Sequence, residues 1–119
     1  MRFMTMIKMD ESVHTSQTPP GVYEAMAAFE QEGRVNGTLV ELGGLLPSAA
    51  GAIVSLANGR IKAVDGPFAE AKELVGGYGI VDVRSREEAV ELGRRLMRIH
   101  LENWPGWEGS CEIRQIAEY

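Results

Sequence analysis

Between residues 3 and 9 apolar side chains occupy both parities, with Phe3, Ile7 and Met9 on one and Met4 and Met6 on the other. A strand sends successive side chains to opposite faces, so this pattern predicts a central strand covered on both sides. The polar stretch that follows holds Ser12, Ser16, Thr18, Pro19, Pro20 and Gly21, in which Thr18 is suited to cap a helix and Pro19 to sit in its first turn. Val22, Ala25, Met26 and Phe29 then recur at helical spacing while Glu24, Glu30 and Gln31 face outward. This predicts a helix over about residues 20–34, ended by Gly33 and Gly37.

Residues 38–42 read as a second strand, and Gly43-Gly44-Leu45-Leu46-Pro47 as a loop or bulge. Two short β-prone runs, 52–57 and 60–64, flank Asn58-Gly59, the dipeptide that best accepts the two positive φ angles of a type I′ hairpin turn. Residues 68–74 favour a helix but have room for only two turns, so a single turn of helix or an ordered loop is expected there. Residues 78–83 form another strand. Ser85 and Glu88 make a capping box that starts a second helix, with Ala89, Leu92, Gly93, Leu96 and Ile99 as its buried stripe and Pro105 barring continuation beyond Asn103. Residues 110–117 supply a last strand. The order predicts an α+β, ferredoxin-like βαββαβ fold with an extra β-hairpin, its antiparallel sheet carrying two helices on one face. The other face would expose side chains such as Met4, Met6, Val54 and Ile80. A second copy related by a two-fold axis is the expected cover, making a homodimer.

A chain of 119 residues is of a size to fold as one domain, 1–119, without staples. Twelve Lys plus Arg stand against 17 Asp plus Glu, a formal charge of -5, the wrong sign for a phosphate-binding surface, so no nucleic-acid partner is expected. Cys111, His14 and His100 have no zinc-ligand spacing, and no metal is expected. The apolar start is interrupted by Lys8, Asp10 and Glu11 before a signal core forms, and no apolar run approaches the roughly 20 residues of a membrane span. A soluble protein of the reducing cytoplasm is expected, with no membrane partner. Neither Gly43-Gly44 nor Gly76-Gly77 has the spacing of a phosphate loop, so no nucleotide or other organic cofactor is expected.

The segment Asp65-Gly66-Pro67-Phe68-Ala69-Glu70-Ala71-Lys72-Glu73, followed by Gly76-Gly77-Tyr78, resembles the signature of the DGPF subgroup of the YCII-related family. The likeness extends to the methionine-bearing first strand, the Gly44, Leu46 and Pro47 loop, the Ser85-led helix and the run Trp104-Pro105-Gly106-Trp107-Glu108-Gly109. The resemblance implies a dimeric α/β barrel with a small-molecule pocket beside Asp65. It also implies two functional classes. One is an enzyme that performs acid/base chemistry such as isomerisation or elimination on aromatic or lactone-like compounds, with an Asp and a His as its pair. The other is a non-catalytic ligand-binding or regulatory module, a companion of an alternative sigma factor.

The residues themselves admit both. Asp65 would serve as a general base if Phe68 and Tyr78 raise its pKa, and equally forms an ordinary Asx turn before Gly66-Pro67. Gly66 and Pro67 shape the backbone. His14 is the candidate acid/base partner of Asp65, against the alternative of a solvated loop histidine. His100 falls near the end of the second helix, where capping or packing is expected. Lys72 and Glu73 would contact a polar ligand or pair with each other on the surface. Tyr78 has glycine on both sides, which suits a hydroxyl reaching into a cleft or close strand packing. Trp104 and Trp107 would line the pocket rim or staple the crossover to the body.

Overall fold

The computed structural model describes residues 1–12, 17–68 and 73–119. Strand β1 (Arg2–Met9) is followed by helix α1 (Pro20–Asn36), β2 (Leu39–Gly44), a 3₁₀ turn (Ser48–Ala50), β3 (Ala52–Ala57), β4 (Arg60–Asp65), β5 (Leu74–Asp82), α2 (Arg86–Asn103) and β6 (Gly109–Gln115). The order in the main sheet is β2-β5-β1-β6, with every neighbouring pair antiparallel. This is the ferredoxin-like α+β arrangement that the patterning predicts, with β3 and β4 set apart as a two-stranded arm.

The parity of β1 sorts the sheet's faces. Phe3, Thr5 and Ile7 are buried beneath the helices, while Met4, Met6 and Lys8 lie half-buried on the opposite side. Phe3 joins Leu39, Val81, Val83 and Ala89 in one core cluster, and Ile7 joins Phe29 and Leu96 in a second. Both clusters sit between the sheet and the two helices. Close approach is made possible by Gly93, where a Cβ would stand 2.7 Å from Ile113 of β6.

Four local expectations are corrected. Thr18 does not cap α1: the N-cap residue is Pro19, with no side-chain cap, and Pro20 occupies the first helical position, where a missing N–H costs nothing. Strand β5 begins at Leu74, four residues ahead of the expected start, because Leu74 and Val75 continue the ladder against Met9 and Lys8 through a bulge at Ile7 and Lys8. The expected turn of helix after Phe68 falls largely on residues outside those described. Val54, expected on the bare sheet face, belongs instead to the arm. Ser85 does accept the Glu88 N–H at 3.1 Å, but the Glu88 carboxylate takes the N–H of Arg84, one residue before the cap.

The arm projects. The radius of gyration is 15.8 Å, against roughly 13.5 Å for a compact chain of this length. Asn58 and Gly59 adopt the positive φ values of 53° and 72° that the hairpin turn demands. Every residue of β3 and β4 is exposed. Alternation makes the arm amphipathic: Ala52, Val54 and Leu56 share one face with Ala63 and Ile61, and Leu56 pairs across to Ile61.

Candidate functional site

Three segments that are distant in sequence meet at the base of the arm. The Ser48 hydroxyl donates to the Glu11 carboxylate at 2.7 Å, and the Ser48 N–H donates to the other carboxylate oxygen. The same hydroxyl oxygen accepts the Phe68 N–H at 3.1 Å, and the Gly66 N–H donates to the Gly51 carbonyl at 2.9 Å. The turn after β1, the 3₁₀ turn and the Asp-Gly-Pro-Phe turn are thereby joined. Gly66 lies so close that a Cβ on it would stand 1.7 Å from the Ser48 carbonyl oxygen.

These segments bound a cavity of about 530 Å³. Met9, Leu45, Leu46, Pro47, Phe68 and Leu74 give it apolar walls, and Glu11 and Ser48 supply its polar end. A largely apolar pocket of a few hundred Å³ with a small number of fixed polar groups is the usual form of a small-molecule site.

The residues singled out in the sequence separate. Phe68 is a cavity wall. Asp65 closes β4 as an exposed residue paired with Ala52, a lining residue, and does not itself line the cavity. Pro67 and Glu73 are exposed, and His14 and Lys72 lie outside the described residues. Tyr78 is on β5; its ring lies over Gly43, where a Cβ would stand 2.8 Å from a ring carbon, and its hydroxyl donates to Glu41 at 3.1 Å. The hydrogen bond and the negative charge of Glu41 raise the phenol pKa above its ordinary value. Glu11 and Ser48 gave no signal in the sequence, since 37 residues separate them and neither belongs to a motif.

On the helix side of the sheet a second cleft of about 360 Å³ adjoins the first at Met9, Gly44 and Gly76. His100, buried at 4% exposure, lines it together with Thr5 and Trp104. The imidazole packs against Trp107 at 4.3 Å between centroids and stacks with Trp104 at 6.5 Å. Trp107 fastens the crossover to the core while Trp104 borders the cleft, so the two tryptophans divide the roles expected of either. Burial depresses the His100 pKa below 6.5, which outweighs the hydrogen bond to Leu96 acting in the opposite direction. The neutral ring therefore stabilises the fold fully above about pH 6.5, and that contribution is lost as the pH falls from there through the depressed folded value. Denaturant unfolding from pH 7.5 down to 5 is expected to show this loss, at up to about 1.4 kcal/mol per pH unit within the window. His100→Phe should remove that part of the slope; an unchanged slope would mean that the imidazole titrates normally in the folded chain.

No helix among the described residues is long and apolar enough to cross a membrane, and no group of three or more potential metal ligands is present among them. The chain is 29% identical to an uncharacterised protein of Rhizobium meliloti (strain 1021) over 122 residues, covering 100% of this chain and 94% of that protein. The match to the YCII-related domain runs over residues 1–118, so with the ferredoxin-like sheet and its cavity in place, the chain belongs to the YCII-related family.

Proposed function

We propose that this YCII-family chain acts as a homodimer that binds a small apolar molecule in the cavity at the base of the arm and performs proton-transfer chemistry on it, isomerisation or elimination, without a cofactor. The observation that carries the binding is the apolar cavity of about 530 Å³ with the Glu11–Ser48 pair at one end. Asp65 is assigned the general base, because the strand pairing puts it opposite a lining residue at the rim. Dimerisation is supported by the arm: a two-stranded hairpin is marginal in water on its own, and its apolar face carries Val54, Leu56 and Ile61 at 67%, 73% and 77% exposure. Laid on the open sheet face of a second copy, near Met4, Met6 and Ile80, these side chains would leave water and bring the Asp65 rim under cover.

The exposure of Asp65 in the single chain favours a second reading, a non-catalytic ligand-binding or regulatory module of the cytoplasm, the companion of a sigma factor among its forms. Proton exchange discriminates between the two. With 2-tetralone, an enolisable aromatic ketone, in deuterium oxide, the enzyme reading expects the parent to accelerate C–H to C–D exchange. Asp65→Asn should retain binding but lose exchange by about a hundredfold or more. Parent-like exchange in Asp65→Asn removes the base from its role, and binding without exchange in either protein supports the regulator.

A further inference from the structure

We propose that the cleft on the helix side of the sheet is a second binding site, in which Nε2 of His100 accepts a hydrogen bond from the hydroxyl of a small aromatic ligand of the phenol class. The Nδ1 of His100 lies 2.7 Å from the Leu96 carbonyl oxygen. A carbonyl can only accept, so Nδ1 carries the proton, and Nε2 of the neutral ring is left as a lone-pair acceptor. Among the described residues Nε2 has no hydrogen-bond partner. His100 is only 4% exposed and lines the cleft, so the cleft is where a donor can reach this acceptor.

An unsatisfied acceptor in such a place costs stability that a donor would recover. The other walls state what kind of donor fits. Trp104 and Tyr23 contribute aromatic side chains, Met26 and Ile7 polarisable and aliphatic ones, and Thr5 spends its hydroxyl on the Gly79 carbonyl at 3.3 Å. A ligand that matches has a flat apolar body and one O–H. The glycines Gly43, Gly44, Gly76 and Gly77 keep side chains out of the cleft at the sheet end, and Met9, whose methyl would stand 2.8 Å from a Cβ on Gly76, separates it from the outer cavity. The site is thus distinct from the one beside Asp65 and stands or falls separately.

Phenol and anisole make the probe pair, since they share a ring and differ in the donor. Titrated into the parent protein and followed by NMR, phenol should saturably shift the signals of Thr5, Met26 and His100, with anisole binding about tenfold or more weakly, the value of one hydrogen bond to a buried acceptor. In His100→Phe the two ligands should bind alike. The proposal is overturned if phenol shifts none of these signals, if its shifts are confined to Ser48 and Phe68 of the outer cavity, or if anisole matches phenol on the parent. That last comparison needs no variant and so decides the matter even if His100→Phe does not fold.

Discussion

Adding one methyl group at Gly66 is expected to break the joint at the base of the arm and destabilise the chain by about 3 kcal/mol, the upper end of what overpacking costs. The new Cβ would stand 1.7 Å from the oxygen and 2.5 Å from the carbon of the Ser48 carbonyl, both backbone atoms that have no rotamer into which to retreat. Either the 3₁₀ turn or the Asp-Gly-Pro-Phe turn has to move. Movement of either removes the Gly66–Gly51 and Phe68–Ser48 hydrogen bonds and one wall of the cavity. Denaturant unfolding of Gly66→Ala measures the cost, and Gly59→Ala is the control. Gly59 has a φ of 72° but nothing within 4 Å, so only the backbone penalty of about 1 kcal/mol applies there. Equal losses in the two variants would show that the close packing at Gly66 does not exist in solution.

The second large effect concerns the arm. Leu56→Lys combined with Ile61→Lys places two cations on a cross-strand pair that is already exposed in the single chain. The fold of each copy should therefore be unaffected. In the proposed dimer these positions leave water for a sheet face whose carboxylates are already engaged, Glu112 by Lys8 and Arg114 and Glu41 by Tyr78, at a cost of more than about 4 kcal/mol, or roughly a thousandfold in the dimer dissociation constant. The double variant is expected to sediment as a monomer with unchanged circular dichroism. A parent-like sedimentation coefficient would remove the arm from the interface.

The contrast between these two sites follows what the sequence made legible. The arm was readable because its determinants are local: Asn58-Gly59 dictates the turn, and the flanking runs are too short and too regular to be anything but a hairpin. The two helices were readable for the same reason, from 3.6-residue periodicity and, in α2, from Ser85 as a cap. The start of β5 was not, because Leu74 and Val75 join the sheet through a pairing with β1 some 65 residues away, and the glycines that follow them read locally as a loop. The place of Val54 is not legible, because alternation says that a strand has an apolar face without saying which sheet it belongs to. At the site, Phe68 was reached through its motif, whereas Glu11 and Ser48 depend on a tertiary meeting that no spacing records. His100 read as a helix-end residue, and only the packing of Trp104 and Trp107 around it turns it into a buried acceptor.

The proposal that two copies complete one another, each arm covering the other's open sheet face and Asp65 rim, is tested most directly by the mass of the parent protein in solution. Light scattering at micromolar concentration should return twice the 13.0 kDa of a single chain; a particle of 13.0 kDa would contradict it, because the apolar face of the arm would then stand permanently in water.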